Sequence, residues 1–224
     1  MWLCRRRRSS EPPASSSAAK VSKGANAAAE TERERLVESK TFVSTADNSS
    51  EPWLSLKEAG TKAYMDNDFK GAMQHYADAA SALESIRGDE PEAEADRKLL
   101  SVLCTNRAMA ALQIIKRAQE GQKFSPGMSL SPELRKLAMR ANVDASRATD
   151  LDTSNGKAWL RRGQALLWMS ALQQRAKESV KCLERARDSP NLTDSIKSEI
   201  QTWLKYAKMM FDDQTSMPEQ CPQM

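Results

Sequence analysis

Five polar residues in three separate stretches of the chain have types and spacings that suit ligand binding better than catalysis. Lys57 and Thr61 are four residues apart, Lys157 and Arg161 are four apart, and Asn106 lies between the two pairs. Residues at this interval share one face of a helix. If three helices lie side by side, two lysines, an arginine and an asparagine converge on one groove, with Thr61 beside them. Such a set supplies charge-assisted hydrogen bonds.

Patterns typical of catalytic and metal sites are missing from the sequence. The single histidine, His75, has no nucleophile at a suitable spacing, and no glycine-rich phosphate loop is present. The cysteines Cys4, Cys104, Cys182 and Cys221 are far apart and match no zinc or redox spacing. We therefore expect no enzyme, no cofactor and no metal. Because Cys104 and Cys182 fall within apolar helical stripes, we expect buried, reduced thiols, as in an intracellular protein.

The composition favours helices and argues against nucleic-acid binding and against a transmembrane segment. Alanine, leucine, lysine, glutamate and arginine are frequent, and these residues lose little conformational freedom in a helix. The formal net charge is +4, and Arg5–Arg8 supply much of the excess. Because no basic face with interleaved aromatic residues is evident, we do not expect nucleic-acid binding. No apolar run reaches the ~18 residues needed to span a bilayer, so we expect no transmembrane segment.

From Trp53 onward, small and large apolar residues recur at spacings of three and four, which predicts helices. The same spacing pattern returns three times along the chain. The matching positions are Leu56, Gly60, Phe69, Ala72, Tyr76 and Ala79, then Cys104, Ala108, Ala111, Ala141, Ala145 and Ala148, then Trp159, Gly163, Leu166, Ala176, Val180 and Leu183. Residues 51–190 therefore read as three helix-turn-helix units, at about 53–87, 95–153 and 156–189. Small residues recur because paired helices must approach closely there.

The second unit carries an inserted loop near 120–132, and a further helix follows the third unit. The predicted capping helix, residues 191–213, would cover the last exposed face, as repeat arrays require. Its apolar stripe is Ile196, Ile200, Leu204, Ala207 and Phe211, with Lys197, Glu199 and Lys205 facing outward. We expect residues 214–224 to be a disordered tail.

Residues 1–50, which are basic and rich in serine and alanine, read as a disordered tail. Three interpretations of this tail stay open. It is a plain solvated extension of a cytoplasmic protein, an organelle-targeting presequence, or a membrane contact through lipidation of Cys4 beside Arg5–Arg8.

Three stretches of the chain resemble the inner-helix signatures of carboxylate-clamp tetratricopeptide domains. They are Leu56-Lys57-Glu58-Ala59-Gly60, Thr105-Asn106-Arg107-Ala108 and Lys157-Ala158-Trp159-Leu160-Arg161-Arg162-Gly163. Such domains occur in co-chaperones, including the UCS myosin chaperones, and the similarity covers roughly residues 53–190. The resemblance implies an all-α, right-handed superhelical solenoid of three repeats plus a capping helix. It also implies an adaptor that binds the Glu-Glu-Val-Asp tail of heat-shock protein 70 or 90.

Carried over position by position, the resemblance implies a clamp of Lys57, Asn106, Lys157 and Arg161. Thr61 stands where the family usually has asparagine, which weakens the clamp or leaves a gap for a bridging water. Contacts with the apolar side chain of the ligand would come from Met109, Leu112 and Gln113.

Two arginines near the clamp, Arg107 and Arg162, also match the signatures, and we expect them to make structural contacts between repeats.

We expect the protein to be a monomer. Because one repeat fold serves unrelated partners, the alternative function is a scaffold that assembles a complex without a chaperone.

Overall fold

The computed structural model describes residues 51–87, 93–120, 130–169 and 173–215, with the backbone alone described for 173–174 and 211–215. Within these ranges it contains seven helices and no strand. They are α1 (Pro52–Met65), α2 (Phe69–Arg87), α3 (Glu94–Ala118), α4 (Pro132–Leu151), α5 (Gly156–Trp168), α6 (Gln173–Arg187) and α7 (Asp194–Thr215). The predicted tail at 1–50, most of the predicted loop near 120–132, residues 216–224 and the side chain of Phe211 lie outside the described residues.

Local sequence signals explain where the helices begin. Pro52 stands in the first turn of α1, where a helix does not need its missing N–H. The side chain of Ser131 accepts a hydrogen bond from the backbone N–H of Leu134 at the start of α4. Asn155 accepts one from Ala158 at the start of α5, at 3.1 Å. These caps satisfy backbone donors that the helix itself leaves unpaired.

The packing order of the helices follows the chain. Each helix packs against the next one, and in addition α3 contacts α5 and α5 contacts α7. Stacking of each unit on its immediate neighbours is the architecture of a helical-repeat solenoid, and it confirms the predicted all-α fold. The odd-numbered helices α1, α3 and α5 carry all of the predicted site residues. None of the described helices combines the length and apolar character needed to cross a bilayer.

Two glycines allow paired helices to approach closely, as the repeat pattern predicts. A Cβ atom at Gly60 would lie 2.9 Å from ring carbons of Tyr76, and one at Gly163 would lie 2.7 Å from Cγ of Leu183. Both partner side chains are fully buried. Because carbon atoms in contact normally lie about 3.5–4.0 Å apart, a side chain at either glycine would push the helices apart.

Ion pairs join the helices across the array. Arg107 on α3 donates to Asp144 on α4 at 2.7 Å, and Arg147 on α4 lies 2.6 Å from Glu84 on α2. Asp144 is buried, so loss of Arg107 would leave a buried charge uncompensated. The hydrogen-bond partner of Arg107, Asp144, belongs to the same helix pair, while Glu84 on α2 of the preceding pair attracts Arg107 electrostatically.

Arg162 makes the predicted contact between helix pairs. Its guanidinium donates to Glu178 on α6 at 3.0 Å and to the hydroxyl of Thr149 on α4 at 3.5 Å. One side chain on α5 therefore links the preceding helix pair to its own.

The two cysteines in the described ranges are buried, as the sequence predicts. Burial raises the pKa of both Cys104 and Cys182 to about 11. Because the thiolate is the reactive form, both thiols are protonated and unreactive near neutral pH while the chain is folded.

We predict that Gly163→Ala lowers the free energy of unfolding by about 1–3 kcal/mol, because the new methyl group collides with Leu183. Urea unfolding followed by circular dichroism measures the change. In a Leu183→Ala background the same substitution should be neutral or stabilising, since the space is then open and alanine has the higher helix propensity. An equal loss in both backgrounds would show that close packing is not the cause.

We predict that Cys104 and Cys182 resist a thiol-specific disulfide reagent at pH 8 in native buffer and react fully in denaturant. The background is Cys4→Ser/Cys221→Ser, so that these two thiols alone are counted. Complete modification before unfolding would contradict their burial.

Candidate functional site

Lys57 is a half-buried cation on α1. Burial lowers the pKa of its ammonium group below the ordinary value, and the neighbouring Glu58 opposes this shift only in part. Within the described parts of the chain, Lys57 has no hydrogen-bond or ion-pair partner. A cation that has lost part of its hydration without gaining a partner is costly to the fold. It is therefore the strongest candidate for a group that receives an anion from outside.

Thr61 lies one turn after Lys57 but directs its hydroxyl into the protein. The hydroxyl donates to the carbonyl of Lys57 at 3.0 Å and lies 3.2 Å from the hydroxyl of Tyr76. Because its single proton is used on the carbonyl, Thr61 accepts the hydrogen bond that Tyr76 donates. Burial raises the pKa of Tyr76. Thr61 thus anchors the helix pair, and its hydroxyl offers no proton to a ligand.

Asn106 and Lys157 lie on either side of the junction between α3 and α5. Asn155 forms this junction, since its side-chain amide donates to the hydroxyls of Ser101 at 2.9 Å and Thr105 at 3.2 Å. Asn106 follows Thr105 directly, and Lys157 follows Asn155 by two residues. The structure therefore places the helical turns that carry these two residues next to each other. Asn106 is half-buried.

The α3–α5 junction leaves the amide of Asn106 available. Among the described residues no side chain or backbone group forms a hydrogen bond with it. Its neighbour Thr105, by contrast, donates to the carbonyl of Ser101 at 2.7 Å while accepting from Asn155. Asn106 can therefore present both a donor and an acceptor to a ligand.

Arg161 is directed into the protein. Its side chain is 7% exposed, and its guanidinium donates to Glu199 on α7 at 2.8 Å and to Gln164 at 2.9 Å. The amide of Gln164 donates to the same oxygen of Glu199 at 2.9 Å. Three side chains thus close a ring of hydrogen bonds between α5 and α7.

The expectation that Glu199 faces outward is wrong. Its side chain is 21% exposed and is held by Arg161 and Gln164. The position explains this, because Glu199 comes three residues after Ile196 and one before Ile200, both of which are buried. It therefore borders the face of α7 that packs on the array.

The residues assigned to the apolar side chain of a ligand differ in accessibility. Met109 and Leu112 are 8% and 6% exposed, so most of their surface serves the core. Gln113 is half-buried and exposes more of its side chain to solvent than Met109 or Leu112 does.

The single histidine, His75, is half-buried on α2. No group of three or more acidic, histidine or cysteine side chains within the described ranges could hold a metal ion.

Sequence reasoning missed three side chains that shape this site. The periodicity indicates Tyr76 as a packing residue, whereas its hydroxyl also engages Thr61. Gln164 and Glu199 both bind Arg161. The position of Glu199 at the border of an apolar stripe indicates a contact with the preceding repeat, but it does not identify Arg161 as the partner.

The stacked helix pairs, with a glycine facing a large side chain in two of them, form a helical-repeat fold. No protein-family model matches the sequence. Protein unc-45 homolog B of Xenopus laevis is 30% identical over 129 residues, which are 58% of this chain and 10% of that protein. The chain thus spans about a tenth of the length of the curated relative that it matches.

Three solved structures are similar to this chain. The first tetratricopeptide domain of Spaghetti (RPAP3), bound to the HSP90 peptide SRMEEVD, is 23% identical with a TM-score of 0.49, covering 73% of this chain and 98% of that chain. The tetratricopeptide domain of Arabidopsis OM64 is 20% identical with a TM-score of 0.48, covering 71% and 96%. The first tetratricopeptide domain of human RPAP3 is 23% identical with a TM-score of 0.48, covering 74% and 97%.

We predict that Lys57→Met raises the free energy of unfolding at pH 7, because methionine fills the same space without a half-buried charge. The pKa of Lys57 is lower in the folded state than in the unfolded state. The wild-type penalty is therefore fully present below the folded pKa, begins to fall as pH rises through that pKa, and is gone above the unfolded value of 10.5. The gain in the free energy of unfolding from Lys57→Met should shrink as pH rises toward and beyond that unfolded value, as measured by urea unfolding.

The control for this prediction is Lys62→Met, which removes the same charge from an exposed position on α1. The free energy of unfolding should rise more for Lys57→Met than for Lys62→Met, and the difference should change with pH. Any other result would contradict the assignment of Lys57 as a half-buried cation.

Proposed function

We propose that the chain is a non-catalytic adaptor that binds the acidic C-terminal tail of heat-shock protein 70 or 90, of the Glu-Glu-Val-Asp type. The observation that supports this proposal is the half-buried ammonium group of Lys57, which has no hydrogen-bond or ion-pair partner in the parts of the chain that the structure describes. Other basic groups close to the candidate site, such as Arg107 and Arg162, have carboxylate partners within the protein. Lys57 differs from them, because no described carboxylate pairs with it, and an anion from a ligand could take that place.

The chemistry of a chain terminus fits these groups. An α-carboxylate next to an aspartate side chain presents four acceptor oxygens in a small volume. Lys57 and Lys157 supply charge to them, and the amide of Asn106 donates a directed hydrogen bond. Each charge-assisted hydrogen bond contributes about 1.5–3 kcal/mol. Capture of a C-terminal carboxylate is an established mode of peptide recognition.

The expected strength follows from the small number of donors. We expect a Kd in the micromolar range, which corresponds to about −8 kcal/mol. We expect Arg161 to add little, because its Nη1 nitrogen donates to both Gln164 and Glu199 and the carboxylate of Glu199 offsets its charge. Thr61 adds no donor, since its proton is used on a backbone carbonyl.

We predict that a peptide ending in Glu-Glu-Val-Asp binds as the free acid and at least about tenfold more weakly when its C-terminus is amidated, a difference of about 1.4 kcal/mol. Isothermal titration calorimetry with both peptides measures this. Lys57→Ala and Asn106→Ala should each weaken binding of the free acid. Lys62→Ala, on the exposed face of α1, should not. Equal affinity for both peptides, or no effect of Lys57→Ala with Lys157→Ala, would overturn the proposal.

The alternative is a tetratricopeptide scaffold that assembles a complex without a chaperone tail. One observation favours it: the Arg161 position of the clamp is engaged by a carboxylate of the protein itself. Failure of both the free-acid and the amidated peptide to bind would support this alternative.

A further inference from the structure

We propose that Glu199 on α7 sets the affinity of the carboxylate site by neutralising Arg161, so that the capping helix determines how strongly the site attracts an acid. This inference rests on the proposed function. It assigns a specificity-determining role to a residue outside the helices that carry the donors.

The first argument is the burial of the pair. Arg161 is 7% exposed and Glu199 is 21% exposed, with 2.8 Å between guanidinium nitrogen and carboxylate oxygen. An ion pair in such a position is held strongly, because separating its members leaves a charge with little water around it. A ligand carboxylate in solution is already well hydrated and gains little by displacing Glu199. The pair therefore persists when a ligand arrives.

The second argument is the ring closed by Gln164. The nitrogen of Arg161 that bonds Glu199 also donates to the amide oxygen of Gln164 at 2.9 Å. Gln164 in turn donates to the same carboxylate oxygen at 2.9 Å. The ring orients the nitrogen toward α7, away from a role as a donor to a peptide.

The third argument is the charge that a ligand meets. Arg161 lies one helical turn after Lys157, so an acid bound at Lys157 is close to the pair. The carboxylate of Glu199 offsets the positive charge of Arg161, so a ligand acid meets less positive charge there than the arginine alone would provide. A tail that presents two carboxylates at its end loses most from the reduction.

The test is Glu199→Gln, which keeps an amide oxygen for Arg161 and removes the negative charge. We expect the Kd for the free-acid Glu-Glu-Val-Asp peptide to fall about three- to tenfold at low ionic strength, and less at high ionic strength. The amidated peptide should gain less. The matched control is Glu184→Gln, the same change at a more exposed carboxylate on α6, which should alter Kd by less than about twofold.

A second pair of variants tests whether Glu199 neutralises the charge of Arg161 or orients Arg161 toward the ligand. Arg161→Met alone should weaken binding, because the charge of Glu199 is then uncompensated, and adding Glu199→Gln to it should recover most of the loss. If Glu199 instead oriented Arg161 toward the ligand, Glu199→Gln would weaken binding and the double variant would recover nothing. Either result would overturn the inference. Circular dichroism of each variant establishes that it is folded, and the two variant series give independent readouts if one does not fold.

The outcomes also separate this inference from the proposed function. Wild-type binding with no response to Glu199→Gln overturns the role of Glu199 and leaves the adaptor proposal standing. Binding by Glu199→Gln where the wild type does not bind supports a blocking role for Glu199. If neither protein binds the free acid, both proposals fail together.

Discussion

The close approach of paired helices at Gly60 and Gly163 is the constraint on which the rest of the structure depends. Tyr76 and Leu183 occupy the space that a side chain at these positions would need. Helices at this distance bring the hydroxyl of Thr61 to that of Tyr76. A wider separation would break that hydrogen bond and move Lys57 with its helix. The position of Lys57 therefore depends on the packing of Gly60 against Tyr76.

Basic residues near the site fall into two groups. Arginines with a carboxylate partner hold helices together, and the pairs are Arg107–Asp144, Arg147–Glu84, Arg161–Glu199 and Arg162–Glu178. Lys57 belongs to the other group, as a half-buried cation with no such partner among the described residues. The presence of an internal partner, more than the residue type, separates a structural cation from a candidate for ligand binding. By this criterion Arg161 is structural.

The sequence predicted the all-α fold and the positions of the small residues between paired helices. It could do so because apolar residues at spacings of three and four specify which face of a helix is buried. It could not predict the partner of Arg161. Spacing along α7 places Glu199 at the border of an apolar stripe but does not give the rotation of that helix against α5. The hydrogen bond between Thr61 and Tyr76 is hidden for a related reason, since the spacing identifies Tyr76 as a packing position but does not show where its hydroxyl lies. Long-range polar pairing depends on tertiary geometry that periodicity does not contain.

The side chain of Asn155 has two structural roles in the helix array. The same side chain starts α5 by accepting from Ala158 and fastens α5 to α3 through Ser101 and Thr105. Fraying of the first turn of α5 would therefore also loosen the seam between two helix pairs. Loss of the Asn155 side chain would therefore remove the cap of α5 and its link to α3 at once.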